Sequence, residues 1–145
     1  MNQIQKSKEI LRVVLAVCML VAGSLHFLVP EPFIKIVPDI LPQPAAIVYI
    51  SGAWEILAFF GLLIPPASRT TAWSLIALFI AVFPANLNMA INHIHLDGIP
   101  DSPWFQAVRL PFQAVLIAWA YWYTLPDNNP KQASIVPRSW LSKYE

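Results

Sequence analysis

The sequence predicts an all-α fold, a four-transmembrane-helix bundle with a proline-rich apolar outer loop between the first two helices. Hydrophobic residues make up 57% of the 145-residue chain and charged residues 12%, whereas soluble domains contain roughly 45–50% apolar and about 25% charged residues. The apolar residues are concentrated in four runs, each close to the roughly 20 residues that a helix needs to cross a bilayer. These runs are Ile10–Val29, Ala45–Ile64, Ala72–Asn92 and Ala107–Leu125. A chain of this length has room for one domain, here an integral membrane domain.

The distribution of lysine and arginine predicts the orientation of the bundle, because cytoplasmic loops carry an excess of these residues. Seven of them fall on one side if the chain crosses four times: Lys6, Lys8, Arg12, Arg69, Lys131, Arg138 and Lys143. Only Lys35 and Arg109 fall on the other side. We therefore expect a multi-pass protein of the cell membrane with both termini cytoplasmic. Residues 1–126 should form the transmembrane domain and residues 127–145 a cytoplasmic tail.

The connections between the runs contain most of the prolines. The first outer connection, Pro30–Pro44, also carries apolar side chains such as Phe33 and Ile36, which a solvated loop would not. We expect it either to lie in the membrane interface or to fold over the mouth of the bundle as a cap. Pro65 and Pro66 should stop the second helix in a short connection, so that the second and third helices are antiparallel neighbours.

Two prolines and the single cysteine fall within the runs themselves. Pro84 should kink the third helix, because a proline frees the carbonyl four residues earlier. Pro111 lies close enough to the start of the fourth run to be tolerated in or near its first turns. Cys18 excludes an internal disulfide and a CxxC redox pair, and within an apolar run we expect it to be a small buried hydrophobic residue.

Glu55 is the one ionisable residue in the second run, and it lies at the middle of that run. A charge at this depth costs roughly 2.5 to 3.5 kcal/mol on insertion scales, so other polar groups should face it. A rise of 1.5 Å per residue places Glu55 within about 1 Å of the midplane. The same rise places Asn86 and Gln113 roughly 4–6 Å outward, and His26 and Arg109 about 10 Å outward. The intramembrane polar groups of four helices thus share the outer half of the bundle.

We predict a polar pocket between the helices that opens to the outer side and binds a ligand. A spacing of four residues places Ser51 on the face of Glu55, and Gln113 on the face of Arg109. In such a pocket Glu55 could bind a hydrogen-bonding or cationic group or carry a proton, and His26 could exchange protons near neutral pH. The predicted ligand-binding residues are His26, Ser51, Glu55, Asn86, Arg109 and Gln113.

Other arrangements of the same polar residues stay open. They could form a buried network that fixes helix register, with Arg109 closing on Glu55 across the bundle. Arg109 could instead extend to the outer headgroups. Asn86 and Asn88 point in different directions on a helix, and we expect Asn86 to face the interior because Asn88 shares its face with Asn92.

The sequence predicts no metal site, and no cofactor motif is evident, although a quinone is a candidate molecule. His93, His95 and Asp97 would share a face in an extended segment and could approach a metal ion. No second cluster completes that set, and glycine and proline follow it. The net charge of +1, without a dense basic cluster, argues against a nucleic-acid partner.

Several motifs together resemble the DoxX-like family of small membrane proteins. They are His26 followed by VPEPFIKIVPDILPQP, then SGAWEI, FPANLNMA and RLPFQ. The resemblance covers most of residues 15–123. It implies a four-helix bundle with His26, Glu55, Asn86, Arg109 and Gln113 at the characteristic polar positions of the family. The family is named after subunits associated with terminal oxidase and thiosulfate:quinone oxidoreductase systems.

Three functions follow as hypotheses. The first is a non-enzymatic or accessory membrane protein whose pocket binds a small amphipathic or quinone-like molecule. The second is a quinone-linked oxidoreductase subunit, in which His26 and Glu55 move protons while a membrane redox partner transfers electrons. The third is a small proton-coupled transporter, which with four helices would need to form a homo-oligomer. The lipid bilayer is a partner in all three, and no catalytic residue is assigned.

Overall fold

The computed structural model describes residues 3–96 and 102–125, which fold into five helices without a strand. The helices are α1 (Gln3–Leu28), α2 (Glu31–Ile36), α3 (Pro44–Leu63), α4 (Pro65–Ile91) and α5 (Pro103–Trp122). The all-α prediction is therefore confirmed for these residues. The expected cytoplasmic tail, residues 127–145, lies outside the described residues.

Proline marks the beginning of every helix from α2 to α5. Each of these helices has proline at its first or second position, where the fixed φ of proline suits a helix and its missing N–H costs nothing. Only the residue Ile64 separates the end of α3 from Pro65, the first residue of α4. The predicted stop at Pro65 and Pro66 is therefore confirmed.

Three of the described helices are long and apolar enough to cross a membrane: α1, α3 and α4. Their surfaces fit that environment, since Leu57 and Ile80 are 69% and 58% exposed and large apolar side chains cover much of the outside. The fifth helix, α5, is not in this group, because Arg109 and Gln113 interrupt its apolar sequence. The described helices are thus compatible with a membrane protein.

Consecutive long helices pack as antiparallel neighbours. Phe27 of α1 stacks on Tyr49 of α3 with ring centroids 5.5 Å apart. One turn earlier in α1, the backbone of Gly23 lies against that of Gly52, which comes later in α3, so the two helices run in opposite directions. On α3 and α4, the Trp54 indole N–H donates to Ser74 Oγ at 3.4 Å. A short connection between neighbouring antiparallel helices is the arrangement expected for a bundle.

The interior is divided into an apolar part and a polar part. The main core is formed where α1, α3, α4 and α5 meet at the end of the bundle that contains the α3–α4 connection. Its fully buried large side chains are Leu15, Leu62 and Leu75. At that end the Tyr123 hydroxyl donates to the Lys8 carbonyl at 3.1 Å, joining α5 to α1. The polar residues lie towards the opposite end, above this core.

Four details differ from the sequence expectations. The fifth helix begins at Pro103 and not near residue 107, because Ser102 caps it by accepting a hydrogen bond from the Phe105 N–H at 3.2 Å. Pro111 consequently lies well inside α5 and not in its first turns. Cys18 is exposed on α1, so the expectation of a buried cysteine was wrong. Also, α1 extends back to Gln3, with Arg12 paired to Glu9 in its first turns.

The contact between Gly23 and Gly52 generates a stability prediction. A Cβ atom at residue 23 would lie 2.6 Å from the Gly52 carbonyl oxygen and 2.9 Å from the Ile56 side chain. Gly23→Ala should therefore push α1 away from α3 and lower the free energy of unfolding by about 1–3 kcal/mol. Chemical unfolding in detergent micelles measures this change. The control is Ala53→Val on the exposed face of α3, which should change the stability by no more than about 0.5 kcal/mol.

Candidate functional site

A cavity of about 240 Å³ lies in the polar part of the bundle, with α1, α3, α4 and α5 as its walls and α2 beside them. Most of its lining is apolar, which is typical of sites that bind small molecules. All six residues predicted from the sequence line it: His26, Ser51, Glu55, Asn86, Arg109 and Gln113. The structure therefore brings together residues from four separate helices, as predicted from their similar depths along the helices.

Glu55 is the one acidic residue among the described residues that line this cavity. The residue is 8% exposed, and its Oε2 atom has no hydrogen-bond partner among the described residues. Ser51 lies one turn earlier on the same face, but its hydroxyl donates to the Val48 carbonyl at 2.8 Å and not to Glu55. The acid thus lines the cavity and carries a buried acceptor that is unsatisfied within the described residues.

His26 is the nearest charged or chargeable neighbour of Glu55. Its Nδ1 atom lies 3.3 Å from Glu55 Oε2 and 2.7 Å from the Ala22 carbonyl oxygen. A carbonyl can only accept, so Nδ1 carries a proton and donates it to Ala22 at the shorter distance. In the neutral ring Nε2 is then the acceptor. The imidazole and the carboxyl group are close enough to exchange a proton, although Ala22 holds the Nδ1–H.

The connection between α1 and α3, which contains α2, forms a cap over this pair. Phe33 of α2 stacks on the His26 ring with centroids 4.0 Å apart. Asn88 Nδ2 donates to the Ile36 carbonyl at 3.0 Å, and Ile36 is buried with Met89 and Leu96 in a small core of its own. Of the two arrangements expected for this connection, the cap is the one observed.

Arg109 lies at the end of a chain of hydrogen bonds that runs between α4 and α5. Its Nη2 donates to Asn86 Oδ1 at 3.1 Å, and Asn86 Nδ2 donates to Gln113 Oε1 at 3.0 Å. Gln113 Nε2 then donates to the Phe79 carbonyl at 2.7 Å. Phe79 directly precedes Ile80, whose carbonyl loses its helical partner because Pro84 has no N–H. We call these four residues the amide chain.

Two sequence alternatives are decided by these contacts. Asn86 faces the interior, as predicted, while Asn88 turns to the cap and accepts a hydrogen bond from Asn92 at 2.6 Å. Arg109 does not close on Glu55, because its observed contacts are Asn86 and the Met89 sulfur. Within the described residues, the titratable side chain nearest to Glu55 is His26.

The segment that contains His93 and His95 packs on the cap through its apolar residues and not through its histidines. Ile94 and Leu96 turn inward towards Ile36, whereas both histidines are exposed. The described residues contain no group of three side chains that could hold a metal ion. Asp97, the third residue considered for such a site, lies outside the described residues.

Sequence reasoning missed two side chains and one backbone group. Phe33 was expected in an apolar connection but not on the His26 ring, and Met89 was not expected beside Arg109. The Phe79 carbonyl has no side-chain signal, and the carbonyl that Pro84 frees is that of the neighbouring Ile80.

The comparison with family models assigns the chain to a family. A model described as a domain of unknown function, DUF8561, matches residues 15–124. The chain belongs to the DUF8561 family. A search of the curated proteins and a search of the solved structures gave no match.

The DUF8561 match spans the whole of the site. It begins within α1, ends just after α5, and therefore includes the cap, the amide chain and both Glu55 and His26. The cavity is thus part of the family domain and not of an addition to it. Because the family is described only as a domain of unknown function, the function has to be inferred from the geometry of the site.

The amide chain predicts coupled effects on stability. Asn86→Ala and Gln113→Ala each break the bond between the two amides, so the double variant should lose less stability than the sum of the single variants. Interhelical hydrogen bonds in membranes average about 0.6 kcal/mol, with a maximum near 1.7, and the coupling free energy should lie in that range. Chemical unfolding of the wild type, the two single variants and the double variant in detergent measures this coupling free energy.

The control cycle for this prediction pairs Gln113→Ala with Asn92→Ala. Asn92 is an amide at the end of the same helix as Asn86, but it bonds to Asn88 and not to the amide chain. Its effect should add to that of Gln113→Ala within about 0.3–0.5 kcal/mol. Additive effects in the Asn86 cycle would contradict the amide chain as described.

Proposed function

We propose that this protein is a four-transmembrane-helix membrane protein that binds one small amphipathic or quinone-like molecule in the cavity, in a non-enzymatic or accessory role. The observation that carries the proposal is the Glu55 Oε2 atom, which is buried at the cavity wall without a hydrogen-bond partner among the described residues. An unsatisfied buried polar group costs about 1–3 kcal/mol, and more when it is charged. A ligand that donates to this oxygen would remove that cost.

The position of Glu55 in an apolar helix supports the same conclusion. Ionisable residues inside membrane helices are rare, and they usually mark ligand, ion or proton pathways. A purely structural role would require Glu55 to join two helices. Its closest polar neighbour, His26, instead donates from Nδ1 to its own helix at Ala22. The carboxyl group is therefore available to a molecule in the cavity.

The size and lining of the cavity support a small amphipathic ligand. Its volume of about 240 Å³ exceeds the roughly 150 Å³ of an engineered cavity that binds benzene. A ring-sized head group therefore fits, whereas a large cofactor does not. The cap contributes apolar walls through Phe33, Ile36 and Leu41, which suit a molecule that partitions into the bilayer.

The fourth membrane crossing in this proposal is α5. Its polar residues Arg109 and Gln113 face the cavity, so they do not meet lipid. Near its other end Trp73 and Tyr121 form an edge contact with centroids 6.2 Å apart, at the level where an aromatic belt meets the interface. With four crossings, the excess of lysine and arginine favours both termini in the cytoplasm. The DoxX-like resemblance is consistent with this arrangement.

A second candidate function is a quinone-linked oxidoreductase subunit. The observation that favours it is the 3.3 Å contact between His26 Nδ1 and Glu55 Oε2, since two proton-exchanging groups line one cavity. Protons of a quinol bound there could pass to His26 or Glu55 while a partner accepts the electrons. This candidate predicts quinone-dependent turnover in membranes that contain the partner.

Glu55→Gln tests the proposed function. The substitution keeps the size of the side chain but removes the carboxylate as an acceptor. Molecules that copurify with the wild-type protein in native membrane discs should be identified by unbiased mass spectrometry and then compared with those of the variant. We expect at least one small amphipathic molecule in near-stoichiometric amount with the wild type, reduced about tenfold in the variant because a hydrogen bond to the buried carboxyl group is lost.

The matched control is Glu31→Gln, which neutralises an exposed acid at the beginning of α2 that does not line the cavity. This control should retain the wild-type set of molecules, and both variants should give the wild-type circular dichroism spectrum. A Glu55→Gln protein that unfolds, together with a wild-type protein that carries no molecule beyond bulk lipid, would contradict the proposal and favour a structural role for Glu55.

A further inference from the structure

Arg109 lines the cavity without a carboxylate partner among the described residues. Its observed contacts are the neutral groups Asn86 Oδ1 and the Met89 sulfur. A guanidinium group has five N–H donors and remains protonated in proteins. One N–H donates to an oxygen and one points at a weak sulfur acceptor, so the cation has donors and a positive charge available to the cavity.

The amide chain fixes the orientation of every group that leads to Arg109. The Phe79 carbonyl can only accept, so Gln113 must present its Nε2 to it and its Oε1 to Asn86. Asn86 must then present Nδ2 to Gln113, which leaves Oδ1 facing Arg109. No member of the chain can flip its amide without losing a hydrogen bond. The guanidinium group is therefore held in place as a donor, which lowers the cost of ordering it when a ligand binds.

The opposite chemistry lies on the other side of the cavity. Glu55 Oε2 is an acceptor without a partner among the described residues, and the neutral His26 ring has its acceptor atom at Nε2 because Nδ1 donates to Ala22. Acceptors therefore lie on α1 and α3, and the fixed cationic donor lies on α5. A head group that satisfies both sides needs two chemically different ends.

We propose that the cavity selects an amphiphile whose head carries an anionic oxygen, bound by Arg109, and a hydrogen-bond donor such as a hydroxyl group, bound by Glu55. This inference rests on the proposed function and specifies the chemical class of its ligand. A carboxylate is the anion that best matches the planar guanidinium fork. A simple hydrocarbon satisfies neither end, and an uncharged amphiphile with a hydroxyl group satisfies only the Glu55 end.

Three probe molecules measure the separate contributions of the anion and the donor to binding. The first is para-hydroxybenzoate with an alkyl tail, which has both the anion and the donor. The second is its methyl ether, which lacks the donor, and the third is its methyl ester, which lacks the anion. Binding to the wild-type protein in discs of zwitterionic lipid should be about tenfold or more tighter for the first probe than for either derivative.

Arg109→Gln and Glu55→Gln should each abolish one of these preferences. Arg109→Gln should weaken the hydroxy acid and the ether about tenfold while leaving the ester unchanged. Glu55→Gln should weaken the hydroxy acid and the ester while leaving the ether unchanged. The control Lys35→Gln removes an exposed cation of α2 that does not line the cavity and should change none of the three affinities.

Asn86→Asp tests the role of the amide chain in positioning Arg109. The new carboxylate would pair with Arg109 and occupy its charge, although it could not donate to Gln113 Oε1. The variant should therefore lose the preference for the anion and bind the hydroxy acid no more tightly than the ester. Asn92→Asp, which adds the same charge outside the cavity, should keep the preference. A structural role alone would instead lower all three affinities together.

The outcomes distinguish this inference from the proposed function. If the ester binds as tightly as the hydroxy acid, or if Arg109→Gln leaves the hydroxy acid unaffected, the inference is overturned and ligand binding by the cavity still stands. The wild-type protein and Arg109→Gln should also be compared in discs with and without anionic phospholipid. If the only effect of the substitution is a loss of binding to anionic phospholipid, Arg109 binds lipid headgroups and the inference is overturned. If no amphiphile binds, the inference and the proposed function both fail.

Discussion

A carboxyl group at the middle of an apolar helix is costly, and the burial of Glu55 is the constraint on which the rest of this structure depends. Polar groups from three other helices lie at the same cavity, and Gly23 allows α1 to approach α3 closely enough for His26 to reach the acid. The cap then covers the pair through the stacking of Phe33 on the imidazole. Each of these features brings a polar or apolar neighbour to Glu55 without satisfying its Oε2 atom.

The amide chain has the opposite effect on Arg109, because it holds the strongest available partner away from the acid. An ion pair between Arg109 and Glu55 would have closed the bundle and removed the need for a ligand. Asn86 instead accepts from Arg109, and the Phe79 carbonyl, in the turn before Pro84, anchors the chain. The cavity consequently has an acceptor side and a donor side. Such separated chemistry suits recognition of a molecule with two different ends.

Regular helical geometry explains how much of the site could be predicted from the sequence. A fixed rise per residue is enough to place Glu55, Asn86 and Gln113 at similar depths, and all three line the cavity. The choice of His26 over Arg109 as the partner of Glu55 could not be predicted, because it depends on side-chain rotamers and on the Phe79 carbonyl. The position of Phe33 depends on how an irregular connection folds back, which no periodic pattern encodes.

The most direct measurement is an experimental structure of the full chain in native membrane discs, at a resolution that shows ordered small molecules. The proposed binding site predicts non-protein density in the cavity within hydrogen-bond distance of the Glu55 carboxyl group, with Arg109 still bonded to Asn86. A collapsed cavity in which Arg109 pairs directly with Glu55 would contradict it, because the polar residues would then form a closed structural network and not a binding site.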